Sequence, residues 1–225
     1  MIVVTGASRG IGLEICNNLI NNKKSVLGLA RNIEGLNFPS KSCDITSFSE
    51  IQEVYKQIKK DNIKVDALIN AAGIASMNLL FTTPLNVIDK IIQTNLLGTI
   101  YSCKILSPLM IRNKKGSIIN FSTIAVNLGL KGEAVYVASK SGIEGFTKSF
   151  AREMSDFNIN VNCIAPGPIK TDLIKGVSQN KINKIISSQI IQKQFESQDI
   201  YKVINTILDE NMNTITGQIF NIGGV

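Results

Sequence analysis

Seven short, apolar, β-branched runs alternate with longer stretches of helical periodicity, and that alternation leaves very few folds open to the chain. The runs cover residues 2–5, 25–30, 42–45, 65–70, 117–122, 160–164 and 218–222. Helical spacing of apolar residues fills 13–21, 49–60, 87–111, 135–154 and 199–209. Strand alternating with helix gives a parallel sheet, since each parallel return needs a crossover, and parallel sheets are covered on both faces. The expected fold is α/β: a Rossmann-type doubly wound parallel sheet of about seven strands, with helices on both faces in three layers. At 44% hydrophobic, 225 residues suit one domain, residues 1–225, with a large core. The stretch 31–41 is short and holds Gly35 and Pro39, so the helix expected between the second and third strands is trimmed to a loop. Residues 175–194 are polar and Ile-rich and read as a helical lid.

Composition removes several function classes. There is no histidine, which excludes Ser-His-Asp and Cys-His hydrolases. Cys16, Cys43, Cys103 and Cys163 are scattered without a Cys-x-x-Cys pair, so neither a zinc site nor a disulfide framework is expected. Free thiols fit a cytoplasmic protein. No run of about 18 apolar residues is present, and Ile2-Val3-Val4 opens a strand rather than a signal peptide, so no membrane span is expected. The net charge of +7 comes from lysines spread along the chain, with few aromatics and no tryptophan. Nucleic-acid binders concentrate charge and interleave aromatics, so attraction for anionic ligands is the better reading.

Directly after the first run stands Thr5-Gly6-Ala7-Ser8-Arg9-Gly10-Ile11-Gly12, and then helical spacing begins. Glycines there allow a tight turn and close approach to a pyrophosphate, which the helix N-terminus faces. A carboxylate at the end of the second strand would bind the ribose 2′-hydroxyl of NAD, but the chain offers Leu29-Ala30-Arg31. Arg31 and Arg9 suit a 2′-phosphate through their forked donors, so NADP(H) is preferred, with NAD(H) possible.

Tyr136 and Lys140 are four apart, on one face of a helix. A phenol with an ordinary pKa of about 10 exchanges protons poorly at neutral pH, and a nearby ammonium is expected to pull that value down. By itself the pair is a weak signal; its company gives it weight.

With these residues in hand, the chain resembles the short-chain dehydrogenase/reductase family over residues 2–224, and within it the 3-oxoacyl-carrier-protein reductases. The resemblance rests on Thr5–Gly12, Asp44, Asn70-Ala71-Ala72-Gly73, Asn95-Leu96-Leu97-Gly98, Tyr136-x-x-x-Lys140, the stretch from Pro166 to Asp172, and the terminal Thr216-Gly217-Gln218 with Asn221-Ile222-Gly223-Gly224. It implies an NADPH-dependent reduction of a ketone, with a 3-oxoacyl thioester as the substrate and an acyl carrier protein as a possible partner. Tyr136 would protonate the carbonyl oxygen as hydride arrives, and Lys140 would lower its pKa and bind the nicotinamide ribose. Asn95 would hold a water that relays protons. Gly6, Ala7, Ser8, Arg9 and Ile11 would take the phosphates. Asp44 and Ile45 would flank the adenine, while Asn70, Ala71 and Gly73 would line the ribose and the floor of the site. Pro166, Gly167, Ile169 and Thr171 would fix the nicotinamide carboxamide.

One departure stands out. The family places a serine thirteen residues before the tyrosine; here that position is Thr123, with Ser122 one place earlier. Adjacent strand residues face opposite ways, so Thr123 is favoured, unless a bulge brings Ser122 round. The basic stretch Arg112-Asn113-Lys114-Lys115, just before this strand, is where a carrier would dock, although Phe157 occupies a second position often basic in such reductases. A specialised reductase of a sugar, polyketide or other secondary metabolite, or a non-catalytic NADP-binding sensor or scaffold, are the alternatives. Helices 87–111 and 135–154 are apolar over much of their circumference, and with the apolar end 219–225 they suggest a homodimer or homotetramer.

Overall fold

Along the first strand, alternate side chains enter two different cores, and this divides the molecule into layers. The computed structural model describes residues 1–170 and 178–225. Its strands are β1 (Ile2–Thr5), β2 (Val26–Ala30), β3 (Ser40–Ser42), β4 (Ala67–Asn70), β5 (Gly116–Phe121), β6 (Ile159–Pro166) and β7 (Ile219–Ile222). Ile2 and Val4 of β1 pack with Ile69, Ile119 and Ile164, under Ile15 and Leu19 of α1 (Gly10–Asn21). Ile200 and Ile204 of α9 (Ser197–Ile207) close the same side. Val3 faces the other way, to Leu68, Ile118 and Val161 and to Ile51, Val54 and Ile58 of α2 (Phe48–Lys60). Each such fully buried side chain contributes roughly 1.5–3 kcal/mol relative to exposure.

All seven strands pair in parallel, in the order β3-β2-β1-β4-β5-β6-β7. This is the expected Rossmann-type sheet with helices on both faces. The chain winds outward from β1 to β3, then crosses back to start the other half at β4. The order therefore reverses between β1 and β4, and a crevice opens beyond their C-terminal ends.

Local chemistry explains the element ends. Ser47 Oγ accepts from Glu50 N at 3.3 Å and caps α2, while Lys59 and Lys60 fall in its last turn. Between β2 and β3 the described backbone is indeed a loop. Phe38 drops into the core over Gly28, where a Cβ would come within 2.6 Å of its ring. β3 lies earlier than the expected 42–45, because its ladder with β2 runs from Gly28↔Ser40 to Ala30↔Ser42 and ends with Cys43 N donating to Ala30 O at 2.9 Å.

The single helix expected over 87–111 is broken. It consists of α3 (Leu85–Ile91), a π-helical segment Ile92–Leu97, α4 (Gly98–Leu106) and α5 (Pro108–Ile111). Pro108 has no amide hydrogen to continue the ladder, and the widened turn around Asn95 swings that residue into the molecule. Two further helices, α6 (Ala125–Leu128) and α7 (Ala134–Ser155), follow β5, and α8 (Gln179–Ser187) lies within the expected lid. Residues 175–177 of that stretch are outside the described residues.

Candidate active site

The glycine turn is shaped by contacts that no side chain could share. A Cβ on Gly6, whose φ is +70°, would lie 2.6 Å from Ala72 Cα, and one on Gly12 would lie 2.3 Å from Gly6 O. α1 starts at Gly10 with no side-chain cap and no acid in its first turn. Its first amides therefore keep the partial positive charge that binds phosphate. Above this turn runs a groove of about 1380 Å³ lined by Gly6, Ser8, Arg9, Ile11, Arg31, Asp44, Ile45, Ala71 and Gly73. Arg9 and Arg31 are exposed on it. The Asp44 carboxylate is engaged locally, Oδ1 accepting from Thr46 N at 2.9 Å and Thr46 Oγ1 at 2.8 Å. These residues fit a dinucleotide with its pyrophosphate over α1.

Two residues expected in the groove do not line it. Ala7 is fully buried and its N–H donates to Leu29 O at 3.2 Å, tying the turn to β2. Asn70 faces the interior: its Nδ2 donates to Asn120 Oδ1 at 2.9 Å and to Cys103 Sγ at 3.2 Å. An amide at the end of β4 is needed to satisfy buried polar groups there, which is a supporting task beneath the floor.

A second cleft, of about 950 Å³, shares Ile11, Ala71, Gly73, Ile74 and Ala75 with the groove, so the two run together. Thr123, Tyr136 and Lys140 lie on it, as do Pro166, Gly167 and Ile169; Thr171 is outside the described residues. Thr123 and Tyr136 face the same cleft, and the Thr123 hydroxyl accepts from Ala125 N at 3.2 Å. Ser122 is otherwise occupied, its Oγ donating to Glu144 Oε1 at 2.6 Å. Just past β5 both residues line the cleft, but the Ser122 hydroxyl is turned to α7.

Lys140 corrects the electrostatic expectation. Its Nζ donates to Phe121 O at 2.8 Å and lies 5.9 Å from the centre of the Tyr136 ring. Burial dominates both groups. It pushes the Lys140 ammonium down to about 8, against the opposing effect of Cys163. It holds the Tyr136 phenol well above the ordinary range, Glu133 adding to the rise and Thr123 opposing it. In this state Tyr136 is a protonated donor, and the lysine is anchored to a carbonyl rather than to the phenol.

Asn95 is fully buried and fully used as a donor. Its Nδ2 donates to Ile74 O at 2.9 Å and Ser139 Oγ at 3.1 Å, and Oδ1 accepts from Ile74 N at 2.8 Å. The amide clamps Ile74, the residue between the two clefts. Gly73 brings it near Lys140: a Cβ there would stand 3.4 Å from Asn95 Oδ1 and 3.5 Å from Lys140 Nζ.

Sequence reasoning missed Glu133. It precedes α7, is 4% exposed, lines the cleft, and pairs with Lys181 of α8 at 3.4 Å. Its signal was available: three positions before Tyr136 is the same helix face. Ile182 and Ile185 of α8 complete the apolar wall. The basic stretch 112–115 enters β5 at its N-terminal end, whereas the clefts lie past the C-terminal ends. Six strand residues put it about 20 Å away, so within one chain it is not on the expected face. The large apolar side chains left exposed among the described residues are not on α4 or α7 but include Leu80, Phe81, Leu85, Ile190, Ile191 and Val225.

Comparisons agree with this arrangement. The profile of the short chain dehydrogenase family matches residues 1–182. Carbonyl reductase family member 4 of Xenopus laevis is 34% identical over 230 residues, covering 98% of this chain and 95% of that protein. A 3-oxoacyl-[acyl-carrier-protein] reductase of Buchnera aphidicola is 33% identical over 232 residues, covering 99% and 95%. Among solved structures, ElxO with NADP bound superposes with a TM-score of 0.89 at 30% identity, covering 98% of this chain and 96% of that one.

Proposed function

The chain belongs to the short-chain dehydrogenase/reductase family, as an NAD(P)-dependent oxidoreductase of CH–OH and C=O groups, and from that we propose that it is an NADPH-dependent ketone reductase whose substrate is a 3-oxoacyl thioester. The observation that carries this reading is the convergence of two hydroxyl-bearing residues, Thr123 and Tyr136, on a mostly apolar cleft that opens into the nucleotide groove. A carbonyl oxygen placed between them receives a hydrogen bond from Thr123 and a proton from Tyr136. The bound cofactor supplies the hydride. Lys140 and Asn95 hold the geometry: one anchors on Phe121 O, the other fixes Ile74. Exposed Arg9 and Arg31, with no carboxylate at the end of β2, favour NADPH over NADH.

The thioester preference draws on the similarity to 3-oxoacyl-[acyl-carrier-protein] reductases over nearly the whole chain. A carrier seated on residues 112–115 serves a cleft only in another copy, so carrier use goes with a homodimer or homotetramer of a cytoplasmic enzyme. A specialised reductase of smaller, more polar ketones is the second reading, favoured by Thr123 in place of serine and by the carboxylate of Glu133 in the cleft. NADPH oxidation measured with acetoacetyl thioesters beside a panel of simple ketones separates the two. Turnover of the thioester at the higher kcat/KM is expected; none at all rejects the first reading.

A further inference from the structure

We propose that Glu133 is a specificity-determining residue, whose carboxylate receives a neutral hydrogen-bond donor, a hydroxyl or amide N–H, carried by the ketone substrate. The proposal rests on the ketone-reductase reading and sharpens its substrate class. Glu133 is the one carboxylate among the described residues lining an otherwise apolar cleft that also holds Tyr136 and Lys140. Its side chain is 4% exposed, yet Oε1 has no hydrogen-bond donor. Lys181 Nζ stands 3.4 Å from that oxygen as an ion-pair partner, out of line for a hydrogen bond. That ammonium is shared, donating also to Lys131 O at 3.4 Å and Met77 Sδ at 3.7 Å.

Buried polar atoms in folded proteins are nearly always satisfied, and a carboxylate oxygen left without a donor is costly. A core packing role would be served better by leucine. The unfilled acceptor therefore points to a donor that arrives with the ligand. A cationic donor is disfavoured, because Lys181 already supplies positive charge at the site. Burial also raises the Glu133 carboxyl, against the lowering effect of Lys181.

Two matched pairs of ketones test this. Hydroxyacetone and 2-butanone differ by a hydroxyl in place of a methyl. The N-acetylcysteamine thioester of acetoacetate is matched by its N-methyl amide analogue, which lacks the N–H donor and keeps the amide. Wild-type enzyme is expected to favour the donor-bearing member of at least one pair by about 10- to 100-fold in kcat/KM, the range for hydrogen bonds to a charged group. Glu133→Leu should bring that ratio close to one, and Glu133→Gln, which keeps shape and an acceptor, should retain part of it. The first pair responding identifies a hydroxyketone; the second identifies the thioester arm. No discrimination in either wild-type pair, or a ratio unchanged in both variants, overturns the proposal. Should wild-type enzyme reduce none of the four, the ketone reading fails. The carboxylate is then judged by calorimetric binding of 1,2-propanediol against 2-butanol in the presence of NADP, where equal affinities overturn it.

Discussion

Replacing Lys140 by methionine should change how stability depends on pH, by an amount the structure lets us work out. The ammonium is 5% exposed, and burial lowers it from 10.5 to about 8. A folded value below the unfolded one means the native state binds fewer protons between those limits. Stability then rises with pH through that window: the cost of burying the charge is fully present below about pH 8 and gone above about 10.5. The displacement corresponds to about 3 kcal/mol in all, of which roughly 2 kcal/mol is recovered between pH 7 and 9.5. Cysteines work oppositely, since burial raises Cys16, Cys103 and Cys163 to about 12, so their contribution is lost as pH rises above their unfolded values. Those effects are common to both proteins, apart from the coupling of Cys163 to Lys140, and largely cancel in the difference. Loss of the bond to Phe121 O adds a constant. Urea unfolding of cofactor-free wild type and Lys140→Met, in reducing buffer at half-unit intervals, gives the curve. Wild type should gain on the variant by roughly 2 kcal/mol over that range. A flat difference would show that Lys140 keeps an ordinary pKa and is solvated, and the account of the buried amine would be wrong.

Two other outcomes follow from the site. Tyr136→Phe should lower kcat for ketone reduction by at least about 100-fold while NADPH affinity, measured by fluorescence titration, stays within about threefold, because the phenol donates the proton. Arg31→Ala, alone and with Arg9→Ala, should raise the Kd for NADPH by about tenfold or more with a smaller loss for NADH, as expected if the guanidinium groups pair with the 2′-phosphate; equal loss for both cofactors would remove that role.

How much of this was legible in the chain depends on whether the signal was local. The strand–helix alternation specified a doubly wound sheet, and the glycine turn specified its nucleotide end, because both are short-range patterns. The i, i+4 spacing put Tyr136 and Lys140 on α7, and counting back thirteen residues found Thr123. What the pattern could not give was partnership across the sequence. The clamp made by Asn95 was not legible because Ile74 and Ser139, its partners, lie 21 and 44 residues away. Asn70 resembled a ribose ligand because its bond to Asn120 spans 50 residues. Glu133 passed unnoticed because its meaning depends on α8 folding over it. The electrostatic reading of Lys140 failed for a related reason: spacing shows proximity, whereas burial sets the balance between attraction and lost hydration.

The Asn95 clamp on Ile74 has a consequence for how such an enzyme can diversify. The wall shared by the two cavities is pinned at the main chain of Ile74 by one amide. Neither chamber can be reshaped from that side without disturbing the other. New preferences must be written on the opposite bank, where α8 contributes Ile182 and Ile185 and Leu130 approaches from the segment before α7.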